Sequence, residues 1–80
     1  MAKVIFPDHL LPFVGGNREI NIKAKRYKEL IEILELRWPG CSKELEKCAV
    51  AIDSQIYQDA FLENLLSESE VFFIRKIEGG

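Results

Sequence analysis

Glu19-Ile20-Asn21-Ile22-Lys23-Ala24-Lys25-Arg26-Tyr27-Lys28-Glu29-Leu30-Ile31-Glu32-Ile33-Leu34-Glu35-Leu36-Arg37-Trp38-Pro39-Gly40 changes its hydrophobic period partway along. Residues 19–24 alternate polar and apolar, which predicts a half-buried strand. From about Lys25 to Trp38 the apolar residues Tyr27, Leu30, Ile31, Leu34 and Trp38 recur at helical spacing and form one stripe. Lys28, Glu29, Glu32 and Glu35 take the other side. Pro39-Gly40 ends the helix, because proline cannot continue it and glycine relieves the turn. A strand feeding directly into one amphipathic helix is the nucleus of the fold.

The chain before this stretch predicts a partner strand. Lys3 to Phe6 is a short apolar run closed by Pro7. The segment from Pro7 to Gly16 holds two prolines and a double glycine, which is turn chemistry, although Leu10, Leu11, Phe13 and Val14 ask for some burial. Strand, connection, strand is most simply a hairpin. After the helix, Ser42 is placed to cap a short turn over residues 43–46. Ala49 to Ile52 reads as a strand, Asp53-Ser54 as a turn and Ile56 to Gln58 as a short return strand. Asp59 could cap a turn or short helix over residues 60–66, bringing Phe61, Leu62, Leu65 and Leu66 toward the core. Val71-Phe72-Phe73-Ile74 is the most β-prone run and, apolar at successive positions, predicts a central strand buried on both faces. The order is strand, strand, long helix, strand, short strand, strand. The crossover between the second and third strands permits a parallel pairing among the central ones. This is the ubiquitin-like β-grasp pattern of the α+β class: a mixed sheet of four to five strands with one main helix on one face. Residues 1–80 are expected to form a single domain whose tail, about 78–80, is flexible.

Composition narrows the function. Eighty residues make one small domain, and 48% hydrophobic with 30% charged residues is a globular composition. A chain this short buries only about 60% of its unfolded surface, which leaves little material for an enclosed active site. Eleven Lys and Arg against 13 Asp and Glu give net charge −2, so nucleic acid is not an expected partner. No apolar run approaches the roughly 18 residues of a membrane span, and no secretory signal pattern is present. Two cysteines are too few for a disulfide scaffold, and a cytoplasmic protein with free thiols is expected.

Catalytic constellations are not evident. His9 is the single histidine, in a loop between prolines. Cys41 and Cys48 lack CxxC spacing, and no metal site is expected. Gly15-Gly16 precedes a strand, so it is not a phosphate loop. Lys23, Lys25, Arg26 and Lys28 crowd the helix start, where the macrodipole favours acids, and no Ser, Thr, Asp or Asn stands there as a cap. A solvated face explains the run; a basic spot for an acidic partner is the other reading.

The C-terminal Gly79-Gly80 stands out. A pair of terminal glycines arises by chance in roughly 0.5% of chains, and here it directly follows the last predicted strand. Such a tail has no Cβ and is slim enough for a narrow cleft. Extended, Glu78 to Gly80 reach roughly 10 Å beyond the domain.

The whole chain resembles the MoaD/ThiS family of sulfur-carrier proteins. Glu70-Val71-Phe72-Phe73-Ile74 with Ile77-Glu78-Gly79-Gly80 is similar to that family's acidic-Val-x-x-Ile ending before Gly-Gly. Ala49 to Asp53, the Leu30-Ile31-Leu34 helix and the Arg37-Trp38-Pro39-Gly40 exit look like its preceding elements. Arg75-Lys76 stands where many members have two prolines, Asp53-Ser54 replaces an Asn-Gly turn, and Ser69 replaces a glycine. Phe6-Pro7, Leu10, Pro12 and Gly15-Gly16 look more like the carriers of a cysteine-biosynthesis branch than like molybdopterin-synthase small subunits. The resemblance implies that an E1-like activating enzyme consumes ATP to adenylate the Gly80 carboxylate. A sulfur donor then converts it to a thiocarboxylate, which serves a sulfur-accepting biosynthetic enzyme of a molybdopterin or cysteine-type pathway. Gly80 would react, Gly79 would clear its path, and Ile77 and Glu78 would sit at the partner's cleft. No cofactor would be bound, and the chain would be a carrier, not itself an enzyme. A ubiquitin-like modifier joined to lysine through Gly80 and a non-covalent β-grasp adaptor are the alternatives.

Overall fold

The computed structural model describes residues 1–76. Five strands are present: β1 (Ala2–Ile5), β2 (Glu19–Ile22), β3 (Cys48–Ile52), β4 (Gln55–Tyr57) and β5 (Glu70–Arg75). Two helices, α1 (Tyr27–Arg37) and α2 (Cys41–Glu46), lie between β2 and β3. The sheet order is β2-β1-β5-β3-β4, mixed, with β1 and β5 parallel and the other neighbours antiparallel. This is the ubiquitin-like β-grasp. The parallel pair joins the first and last strands and does not involve the second.

Side chains alternate along each strand, so one face of the sheet meets the helices. Val4, Ile20, Ile22, Val50, Ile52, Val71 and Phe73 point there and are buried, as are Tyr27, Leu30 and Leu34 from α1. Phe73 anchors this core: its ring stacks on Phe6 at 5.6 Å between centroids and meets Tyr27 at 6.2 Å. Trp38 is half-buried at the helix exit. The Arg37 guanidinium lies over its ring, and Gly15, at φ +63°, lies against it. A Cβ on Gly15 would come within 2.9 Å of the indole nitrogen, so the turn and the tryptophan require glycine here.

Several local expectations are corrected. The Pro7–Gly16 connection is not a plain loop: Asp8–Phe13 coils into a 3₁₀ helix that buries Leu10, while Phe13 stays exposed. Ser42 is not the cap of the second helix. That helix starts at Cys41, and the Glu35 carboxylate, one turn from the end of α1, accepts the Gly40 and Ser42 amides at 2.7 and 3.0 Å. Residues 60–66 form no helix, although Asp59 does accept the Phe61 amide. Ala60 and Leu65 reach the core, whereas Phe61, Leu62 and Leu66 face solvent. Finally, β5 is central but not buried on both faces: Val71 and Phe73 are covered, Phe72 is exposed and Ile74 partly so. Among the described residues one layer of helix covers the sheet, so alternate residues of even its middle strand are left open.

Candidate functional site

The sequence places its reacting and partner-binding residues at Ile77, Glu78, Gly79 and Gly80, all of which lie outside the described residues. What the structure defines is their platform. Arg75 is the last residue of the central strand and pairs with Cys48 on β3; Lys76 follows it.

The uncovered face of the sheet forms the body of this platform. Register aligns Glu19, Ile5, Phe72, Ala51 and Ile56 in one row across all five strands. Ile74 and Ala49 form the neighbouring pair nearer Lys76. Ile56 is 63% exposed and Phe72 37%, so the row is apolar from Ile5 to Ile56 with an acid, Glu19, at its other end. Phe73 serves the core and Phe72 the surface; the sequence treats both as core because an apolar run does not show which side the helix covers. Their alternation is set by the pairing of Val4 with Val71 and Ile5 with Phe72.

The turn at one end of this face joins Asp53-Ser54 to Ser69. Asp53 and Ser54 both have positive φ, 49° and 73°, the geometry of a two-residue hairpin turn. The Asp53 carboxylate accepts the Ser69 hydroxyl at 2.7 Å and the Glu70 amide at 2.9 Å. Ser69 is fully buried and its oxygen also accepts the Leu66 amide. The non-glycine turn is thus clamped to the start of β5 through Ser69.

The nucleophile candidates near the tail root are quiet. Cys48 is buried, and its thiol lies 3.7 Å from the His9 ring, a pairing invisible in sequence because 39 residues separate them. Burial, and next the Glu44 carboxylate, push this thiol up, while Lys76 and Arg75 act against them. Burial and Glu35 likewise raise Cys41, which donates to the Leu34 carbonyl. Burial, with the charges of Cys48 and Asp59 adding to it, holds the Tyr27 phenol well above its usual range. These groups remain protonated at neutral pH and are poor nucleophiles. Among the described residues no three His, Cys, Asp or Glu side chains are grouped to hold a metal ion. An open groove of about 420 Å³ lies beside Lys76, lined by Ile31, Leu45, Phe61, Glu46 and Asp59. No helix among the described residues is long and apolar enough to cross a membrane.

No protein-family model and no curated protein matches the sequence. Solved structures do match the fold. The chain is similar to CysO of Mycobacterium tuberculosis, described as an antigen, with TM-score 0.84 and 15% identity, covering 96% of this chain and all of that one. It is similar to a chain of the BexX/CysO complex of Amycolatopsis orientalis, with TM-score 0.85 and 17% identity, each covered in full. At these identities the likeness establishes the fold.

Proposed function

We propose that this protein is a sulfur carrier of the MoaD/ThiS type, nearest in kind to the carriers of cysteine biosynthesis. The observation that carries the reading is the end-to-end structural likeness to CysO, a sulfur carrier of that type, in a chain that finishes in Gly79-Gly80. The crystallised complex of a CysO with BexX supports a role that depends on partner proteins.

The chemistry would run on the terminal carboxylate. A partner adenylating enzyme lets a Gly80 carboxylate oxygen attack the α-phosphorus of ATP, and pyrophosphate leaves. The acyl-adenylate carries a good leaving group where the carboxylate had none. A sulfur donor then displaces AMP, and the resulting thiocarboxylate is the nucleophile for an acceptor. The carrier contributes positioning and its partner the catalytic groups. The protonated thiols and phenol of the described core fit that division of labour. Phe72, Ile56, Ile74 and Ala51 would provide the docking strip that orients the tail.

The test is the intact mass of the protein co-expressed with a candidate E1-like enzyme, beside a variant lacking Gly80. A gain equal to one oxygen replaced by sulfur, localised to the C-terminal peptide and absent from the variant, is expected. Gly80 joined to lysine instead would make the protein a modifier. An unchanged mass, with an enzyme that is active and binds the protein, would make it an adaptor.

A further inference from the structure

The four cations at the start of α1 are left without ion-pair partners among the described residues. Lys23, Lys25, Arg26 and Lys28 are all exposed, in a chain whose net charge is −2. The fold adds an apolar flank that the sequence does not anticipate. Residues 63–65 run beside residues 25–27: the Tyr27 amide donates to the Glu63 carbonyl, the Leu65 amide donates to the Lys25 carbonyl, and Arg26 bridges to Asn64. This pairing sets Leu62 and Leu66, 80% and 72% exposed, next to the cations. Beside this pairing lies an open groove of about 580 Å³, walled by Met1, Lys23, Ala24, Lys25, Leu65 and Ser67, with Glu29 as its acid. It sits where β5 begins, since Lys3 pairs with Glu70 and the Met1 amine donates to the Ser67 carbonyl. Arg75, at the tail root, is at the other end of that strand, about 17 Å away.

We propose that this groove docks an acidic, leucine-bearing segment of a partner protein, at a surface separate from the tail. Charge complementarity selects the occupant. The positive charge is local, and screening confines it to about 8 Å at physiological ionic strength. An extended polyanion or an anionic membrane would meet the net negative charge of the whole chain; a short acidic segment meets chiefly the local cations, with Glu29 as the acid in the groove wall. Its leucines would cover Leu65, Leu66 and Ala24, and its carboxylates would reach Lys23 and Lys25. The surface does not depend on the chemistry at Gly80, so the experiment can use the protein lacking Gly80 as well as the full chain.

The probe is a synthetic peptide of about twelve residues, half Asp and Glu with interspersed leucines, titrated into isotope-labelled protein and followed by amide chemical shifts. Shifts confined to residues 23–28 and 61–67 are expected, with affinity falling as salt rises. The double variant Lys23→Glu, Lys25→Glu should weaken binding at least tenfold, and Leu66→Ser several-fold. All three positions are exposed, and unchanged spectra elsewhere would show that the variants fold. A peptide with its acids replaced by Asn and Gln should not bind. Shifts on Phe72 and Ile56 instead, equal affinity after charge reversal, or no binding would overturn the proposal. So would concentration-dependent shifts of the same residues without peptide, which mark a second copy as the occupant. Co-sedimentation with vesicles of phosphatidylcholine and phosphatidylserine, abolished by the charge reversal while the peptide fails to bind, would reassign the surface to a membrane.

Discussion

Glu35 holds two helices together through one carboxylate. Its two hydrogen bonds from Gly40 and Ser42 hold its carboxyl below the usual carboxylate range, the Gly40 amide contributing most. A depressed folded pKa means that its contribution to stability is present above the unfolded value of about 4.3 and is lost as pH falls through the folded one. Glu35→Gln should therefore melt lower than the parent at neutral pH, and the gap should close in acid; thermal melts across pH check this. Ser69 is a second such residue. Ser69→Ala would strand the Leu66 amide and one Asp53 oxygen beside a buried site, a loss of about 1–3 kcal/mol in denaturant titrations. Ser69→Gly should lose a comparable amount, since the missing group is the hydroxyl.

At the scale of elements, β5 divides its labour by parity. Phe73→Ala would empty the stack with Phe6 and the contact with Tyr27, at about 3–5 kcal/mol. That is a large share of the 5–15 kcal/mol typical of a domain. Phe72→Asp should cost stability about 1 kcal/mol or less, the scale of a cross-strand pair. If the open face docks the adenylating partner, the same substitution should weaken that complex by about 2 kcal/mol, roughly thirtyfold in Kd. Melting curves and a binding titration on the two variants separate core from surface. The helices show a related division. The apolar stripe makes α1 a helix, but its first amide is satisfied by the Glu63 carbonyl and the first turn of α2 by Glu35, both supplied from elsewhere in the fold.

At the scale of the molecule, the single helical layer decides where function can be. A sheet covered on one side must leave the other open, and in this chain the open side carries Ile5, Phe72, Ala51 and Ile56 in register. The tail root and the basic groove lie at opposite ends of β5, so one partner could hold the tail while another occupies the groove. A ternary complex should then assemble with the two affinities independent of each other, which paired titrations with and without the acidic peptide would reveal.

The amino-acid order by itself determined the order of the strands and the main helix, because periods of two and of nearly four are local properties of where apolar side chains fall. It located the hairpins, the helix stripe of Tyr27, Leu30 and Leu34, and β5 as the central strand. It also singled out Gly79-Gly80, on which the proposed carrier chemistry rests. The tertiary structure decided what locality cannot express. It paired β1 with β5, and so assigned Phe73 to the core and Phe72 to the surface. It brought His9 to Cys48, Ser69 to Asp53 and residues 63–65 to the start of α1. Each of these joins groups far apart in sequence, and a run such as Val71 to Ile74 carries no mark of which face a helix will cover until that helix has packed.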